Sequence, residues 1–319
     1  MSPVSAAVTV VVVTYSPGET LAAFLDSLKA ATSRTVEVIV VDNGSTDGAP
    51  ERAAERVGVR LIRTGDNLGY GGAANRGLAD ATTDWVVVAN PDIVWQPGSL
   101  DVLVDATDLW PNAAALGPAI VTTTGELYPS ARALPSLSTG IGHALFGWAW
   151  PSNPWTQRYR RENEPPVEGE TGWLSGSCLL LRRVAVDRIG GFDPAYFMYF
   201  EDVDLCDRLE QAGWQVVYLP ASVVEHLGGH ATSQRPVEML VAHHRSAYRY
   251  LARHYRGWRW LPVRLTIRLG LRARLALSRL SGRVEEGAAP QRSADALDAV
   301  DHTPSGPVPT VPDLTDHHR

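Results

Sequence analysis

The run Val8-Thr-Val-Val-Val-Val-Thr-Tyr15 is rich in β-branched residues and has almost no polar breaks. Such a run predicts a strand buried on both faces, as in a parallel sheet. Leu21, Phe24, Leu25 and Leu28 follow at helical spacing and predict a helix over about 20–31. The two periods then alternate. Residues 36–41 read as a second strand ending in Asp42, and 45–57 as a helix capped by Ser45 or Thr46. A third strand is expected over 59–63, a helix near 73–80 after a glycine-rich segment, and a fourth strand over 85–89, closed by Asn90-Pro91-Asp92. Strands and helices joined this way by short links predict an α/β fold, doubly wound, with a mostly parallel sheet.

From 111 to 166 the pattern weakens, and loops with short strands around a cleft are expected. Regular signals return at 172–182, in a helix around 203–211 and in a strand at 215–219. An Arg- and aromatic-rich helical region runs from about 234 to 282, and 285–319 has no periodicity and is expected to be disordered. The chain thus divides into an α/β domain (1–232), a basic helical extension (233–283) and an acidic tail (284–319).

With 319 residues and 45% hydrophobic content, the α/β region can bury a substantial core. Two cysteines, Cys178 and Cys206, make neither a disulfide framework nor a metal cluster, so a reducing cytosol is expected. The first apolar run is too short for a membrane span, and no basic residue precedes it as in a signal peptide. A net charge of −6 gives no case for nucleic-acid binding, yet eleven arginines and no acid lie between Met239 and Val284. Arg264, Arg268, Arg272 and Arg279 form a stripe bordered by Leu261, Leu265, Ile267, Leu269 and Leu271, with Trp258 and Trp260 just before it. That is either a helix packed on the domain with snorkelling arginines or, the favoured reading, an interfacial helix on an anionic membrane leaflet.

Ligands of open parallel sheets bind beyond the carboxyl ends of the strands. Here those ends carry Thr14-Tyr15, Asp42-Asn-Gly-Ser-Thr-Asp47 and Asn90-Pro-Asp92. Asp42 suits a pyrimidine N–H or a ribose hydroxyl, although its segment also reads as a plain turn with a helix cap. Gly69-Tyr-Gly-Gly-Ala-Ala74 fits a dinucleotide fingerprint, but Thr64–Leu68 separate it from its strand, which argues against that use. Glu201-Asp-Val-Asp204 reads as acids in a first helical turn. Tyr196, Phe197, Tyr199 and Phe200 precede it, however, and an apolar rim would raise a carboxyl pKa toward that of a useful base.

In order, these motifs resemble those of family-2 glycosyltransferases with the GT-A fold. Trp173-Leu-Ser-Gly-Ser-Cys178, Gly190-Gly-Phe-Asp193, Phe200-Glu-Asp-Val-Asp-Leu205 and His226-Leu-Gly-Gly extend the match, which covers about residues 8–230 and is similar to the rhamnosyltransferase branch. The resemblance implies inverting transfer from a nucleotide-sugar with a divalent metal, Mn²⁺ or Mg²⁺. It implies that Thr14, Tyr15 and Asp42 hold the nucleoside, and that Asn75 and Arg76 lie near the ribose or diphosphate. Asp92 and His226 would hold the metal, with His230 as an alternative. Asn90 stands on the donor side where the general family pattern has an aspartate. Asp202 would be the general base. Glu201 and Asp204 would orient the acceptor or cap the helix, and Trp173 would stack on an acceptor sugar or sit in the core. The branch implies dTDP-L-rhamnose as donor, an N-acetylglucosaminyl-diphospho-polyprenol acceptor in cell-wall linker synthesis, and a cytoplasmic enzyme peripheral on the inner face of the plasma membrane. Another nucleotide-sugar, such as a galactofuranose donor, is the first alternative. A non-catalytic sugar-nucleotide-binding scaffold is the second, and the joint presence of Asp92, Asp202 and His226 argues against it.

Overall fold

The computed structural model describes residues 8–135, 167–228 and 236–280; the acidic tail and most of the predicted cleft loops lie outside them. Strand β1 (Val8–Thr14) is buried at every position, as its unbroken apolar run requires. After helix α1 (Thr20–Ala31) comes β2 (Val36–Asp42), parallel to β1; after α2 (Ala49–Ala54) comes β3 (Val59–Arg63), parallel to β2. Helix α3 (Gly69–Asp80) then leads to β4 (Trp85–Ala89), parallel to β1 on its other side.

Alternation along β1 separates two cores. Val10 and Val12 join Leu21 and Phe24 of α1, whereas Val11 and Val13 join Ala73, Ala74 and Leu78 of α3. A strand buried on both faces has no polar side, and that is why β1 lacks the polar/apolar alternation of a half-exposed strand.

The chain continues through β5 (Ile93–Trp95), α4 (Ser99–Leu109), β6 (Ala113–Thr122) and the short strands β7 (Leu127–Tyr128), β8 (Ala131–Arg132), β9 (Gly169–Glu170) and β10 (Trp173–Leu174). It ends with β11 (Cys178–Arg182), α5 (Arg183–Ile189), α6 (Glu201–Gln211), β12 (Gln215–His226), α7 (Pro236–His254), a 3₁₀ turn at Trp258–Trp260 and α8 (Leu261–Leu280). The main sheet runs β3-β2-β1-β4-β11-β6-β12-β5. Its β6–β12 contact is parallel, and β11 is antiparallel to both neighbours, so the sheet is mixed and mostly parallel.

Several elements depart from the sequence-based expectation: α2 starts only at Ala49, after a left-handed Gly48 and without a side-chain cap from Ser45 or Thr46, and β12 runs beyond 219 to His226. Residues 113–122, expected among loops, form a ten-residue strand at the centre of the second half-sheet. Its Ala113-Ala-Ala-Leu-Gly-Pro118 run has few β-branched residues and contains a proline, so local propensity conceals it. Packing supplies the reason for the small residues: a Cβ on Gly117 would lie 2.9 Å from Leu174 Cδ2. Helix α3 also begins at Gly69, well before the expected 73, so the glycines lie inside the helix.

Gly77 marks the closest approach of α3 to the sheet. An added Cβ would meet Val11 Cγ1 at 2.3 Å and Val41 Cγ2 at 3.1 Å. We expect Gly77→Ala to cost about 1–3 kcal/mol of stability by overpacking, read as a lowered urea midpoint at unchanged m-value.

Candidate active site

Thr14 and Asp42 stand side by side at the ends of β1 and β2. Thr14 is fully buried; its hydroxyl donates to the Val41 carbonyl at 3.3 Å, and its own carbonyl accepts the Asn43 N–H at 2.8 Å. Its side chain therefore shapes the strand end, with its hydroxyl engaged by the backbone of β2. Asp42 serves the turn with one oxygen, which accepts the Ser45 N–H at 2.9 Å. Its other oxygen has no hydrogen-bond partner among the described residues, so the turn role leaves a ligand role open. Tyr15 lies at the mouth, 39% exposed. Arg76 is exposed and has no ion-pair partner among the described residues.

The glycine-rich start of α3 is occupied by protein. Asn43 donates to Asn67 Oδ1 (2.9 Å) and to the Gly69 carbonyl (3.1 Å), and accepts the Leu68 N–H (2.8 Å). The Tyr70 N–H donates to the Phe197 carbonyl at 3.0 Å, and a Cβ on Gly69 would lie 2.1 Å from that same oxygen. A Cβ on Gly71 would come within 2.9 Å of Phe192 Cβ. These glycines admit the 192–197 segment where a dinucleotide site would admit a pyrophosphate, which removes the cofactor reading. Asn75 is redirected as well. Expected at the ribose or diphosphate, it donates to the Phe192 carbonyl (2.8 Å) and accepts the Phe192 N–H (2.9 Å). Its amide pins the loop that leads to α6.

That loop ends in backbone strain. Tyr199 and Phe200 both adopt left-handed conformations (φ 66° and 65°), at a cost of about 1–2 kcal/mol each. The His243 ring of α7 packs against both, at centroid distances of 5.4 and 5.6 Å. The strained pair turns the chain so that Glu201 and Asp202 enter the first turn of α6. Asp202 Oδ2 accepts the Gly176 N–H at 2.9 Å, and Oδ1 accepts the Val203 N–H at 2.8 Å. Burial raises the Asp202 pKa against these backbone hydrogen bonds. Glu201 is 7% exposed, and its Oε2 has no partner among the described residues. Burial, and then the neighbouring Asp202 charge, push Glu201 up to about 8.

Asp204, expected at the acceptor, is fully buried between two arginines. Arg208 Nε donates to one of its oxygens at 2.6 Å and Arg253 Nη1 to the other at 2.7 Å. Both oxygens are thus engaged, and the residue anchors α7 to α6. Arg253 gives no hint of this in sequence, because it lies within an arginine series with an apparent surface pattern. Trp173 is half-buried, packs against the Tyr196–Val203–Tyr250 cluster and has the Arg132 guanidinium 6.0 Å from its ring. Those contacts pack it against the core and leave it partly exposed.

Asp92 and His226, 134 positions apart, are brought together by the pairing of β12 with β5. His226 Nε2 lies 3.1 Å from Asp92 Oδ1, and the two side chains are 20% and 16% exposed. Among the described residues no group of three potential ligands is present. One carboxylate and one imidazole, both partly open, fit an ion that takes its other ligands from a bound diphosphate and water. The Asn90 backbone N–H donates to the Ser177 carbonyl at 2.9 Å and ties this motif to the turn beside Asp202. His230 lies outside the described residues.

Glu201 makes stability depend on pH. Its folded-state value is raised above the ordinary 4.5, so its contribution is complete below about 4.5 and is lost as pH rises toward 8. We expect Glu201→Gln to flatten the fall in melting temperature over that window and to leave the variant more stable than wild type at pH 8. Parallel melting curves at pH 5 and pH 8 check this.

The matches to known proteins fall on these same elements. The model described as Glycosyl transferase family 2 matches residues 9–190, and that described as Glycosyl transferase family group 2 matches residues 167–282. The chain is 53% identical over 280 residues to the N-acetylglucosaminyl-diphospho-decaprenol L-rhamnosyltransferase of Mycobacterium tuberculosis, covering 83% of this chain and 91% of that protein. It is 27% identical over 252 residues to rhamnosyltransferase WbbL of Escherichia coli K12, covering 76% and 92% respectively. The crystal structure of GalNAc-T7 with UDP, GalNAc and Mn²⁺ shares the fold, with a TM-score of 0.56 at 17% identity over 71% of this chain and 44% of that one. With its mixed α/β sheet of GT-A type and a family match over more than half its length, the chain belongs to glycosyl transferase family 2.

Proposed function

We propose that the protein is an inverting rhamnosyltransferase that moves L-rhamnose from dTDP-L-rhamnose to an N-acetylglucosaminyl-diphospho-polyprenol. The observation that carries the choice of substrates is the 53% identity, over 83% of the chain, to a relative named for that transfer. The site supports the chemistry. Asp42 offers its open carboxylate oxygen to the thymine ring N–H, beside Tyr15 at the mouth. Arg76 adds a cation without an ion-pair partner among the described residues. Asp202, ionised and oriented by two backbone N–H groups, takes the proton from the acceptor hydroxyl as that oxygen attacks the anomeric carbon. The bond from that carbon to the diphosphate breaks on the opposite face, so a β-L-rhamnosyl nucleotide gives an α-L-rhamnoside. Asp92 and His226 would hold a divalent ion, and Mn²⁺ suits their mixed donor set; the ion would neutralise charge on the departing diphosphate.

The lipid acceptor gives a role to α8. Its Leu261, Leu265 and Leu269 are 47%, 48% and 64% exposed, and Trp258 before it is 83% exposed. Arg264, Arg268 and Arg272 border this row at helical spacing. No helix among the described residues is long and apolar enough to cross a membrane. We read α8 as lying on the inner leaflet beside the acceptor, with its leucine row toward the lipid and exposed Arg272 toward anionic headgroups. Arg264, by contrast, donates to the Gly257 carbonyl, and Arg268 lies over the Tyr248 ring of α7.

Two assays test this reading. With a GlcNAc-diphospho-lipid acceptor and Mn²⁺ or Mg²⁺, transfer is expected from dTDP-L-rhamnose, and Asp202→Asn should lower kcat by about 10²–10⁴. Transfer from a different nucleotide-sugar alone would replace the donor assignment, and full activity of Asp202→Asn would remove the mechanism. In flotation with phosphatidylglycerol vesicles the wild type should co-float. Replacing Leu265 and Leu269 by Ser should release it, and undiminished binding would refute the interfacial role of α8.

A further inference from the structure

The Ser175–Ser177 turn is held from every side. The Tyr70 hydroxyl donates to the Gly176 carbonyl at 2.6 Å. The Gly176 N–H donates to Asp202 Oδ2 at 2.9 Å. Ser177 accepts the Asn90 N–H at 2.9 Å, and the Ser175 N–H donates to the Ser130 carbonyl at 2.8 Å. There is no slack at the centre, because a Cβ on Gly176 would lie 3.2 Å from Asp202 Cβ. The turn that orients Asp202 is thus fixed by a side chain 106 positions earlier in the chain.

Tyr70 reaches Asp202 by a second path. Its N–H holds the Phe197 carbonyl at 3.0 Å, and its ring meets Phe192 edge-on at 6.3 Å. One residue of the glycine-rich helix therefore braces both the turn and the strained loop on either side of the acid pair. We infer that Tyr70 is a positioning residue for the general base, acting through the Gly176 turn to orient the Asp202 carboxylate. The inference rests on the reading of Asp202 as that base. Burial, and then the Glu201 charge, hold the Tyr70 hydroxyl well above its ordinary range, so it keeps the proton it donates at any working pH.

A tyrosine that only filled the core would affect folding and nothing else. A positioning role predicts a specific change. A backbone N–H directed at a carboxylate favours its ionised form. Without the Tyr70 hydroxyl the Gly176 turn relaxes, that hydrogen bond weakens, and Asp202 gains its proton at higher pH. Among the described residues, Glu201 and Cys206 join Tyr70 as the titratable groups that interact with Asp202, and burial keeps the Cys206 thiol protonated.

The experiment compares full-length wild type, Tyr70→Phe and Asp202→Asn, with kcat and KM measured against pH on the GlcNAc-diphospho-lipid acceptor. For Tyr70→Phe we expect about a tenfold loss of kcat at neutral pH, the rate effect of one hydrogen bond of ordinary strength. The donor KM should be unchanged, the acidic limb should move to higher pH, and activity should recover as pH is raised. An acidic limb superposable on wild type, or a loss carried wholly by the donor KM, would overturn the inference. If Asp202→Asn keeps full activity, the base assignment itself falls and the inference with it. If Asp202→Asn is inactive and Tyr70→Phe is unshifted, the inference alone falls. Gly176→Ala disturbs the same turn without touching α3 and decides the matter if Tyr70→Phe does not fold: a limb displaced upward supports the inference, and a wild-type limb overturns it.

Discussion

Three acids of α6 are buried and a fourth, Asp202, is partly so, and how each is compensated organises the site. Glu201, Asp204 and Asp207 are buried, and burial also raises the pKa of Asp202. A buried carboxylate needs partners or it takes up a proton. Asp204 has two arginines; Asp207 has His254 at 2.8 Å and Gln211 at 2.8 Å. Asp202 has backbone N–H groups only, and Glu201 Oε2 has no partner among the described residues. The difference has a chemical consequence. A guanidinium against Asp202 would hold its pKa down and weaken it as a base, whereas neutral donors orient the carboxylate and leave it basic. Arginines therefore go to the acid that holds the helix, and amide dipoles to the acid proposed as the base.

This division ties α7 to α6. Arg253 and His254 compensate α6, Arg249 reaches Asp193 at 3.0 Å, and Ser246 donates to the Met198 carbonyl at 2.9 Å. The same helix covers the left-handed Tyr199–Phe200 pair, whose strain persists because surrounding packing determines it. Across the compositional boundary expected near 232, α7 is thus bonded to α6 and to the 193–198 segment of the α/β region. That leaves α8, with its exposed leucines, as the element for the proposed lipid contact.

The donor side of the site follows a different rule. There the side chains of Asn43, Asn67 and Asn75 satisfy backbone groups of the glycine-rich turn and of the loop before α6. This network ties the end of β2 and the loop before α6 to α3. Asp92 and His226 come from the other half of the sheet, so the site forms where two sets of strands meet.

The sequence by itself determined what depends on local period and order. The doubly buried strands were legible because four consecutive valines leave no polar face, and α1 because its apolar residues repeat every three to four positions. The motif order was enough to identify the family, and it nominated Asp42, Asp92, Asp202 and His226 for the roles proposed above. Tertiary structure alone decided which polar side chains remain open. Asn75 and Asp204 look like ligand residues in sequence, yet packing gives each of them a protein partner, Phe192 and the Arg208–Arg253 pair. Tyr70, in sequence one more aromatic among glycines, reaches the turn that bonds Asp202 because the fold brings α3 against Gly176, 106 residues away. A hydrogen bond depends on distance in space, and a sequence records distance only along the chain.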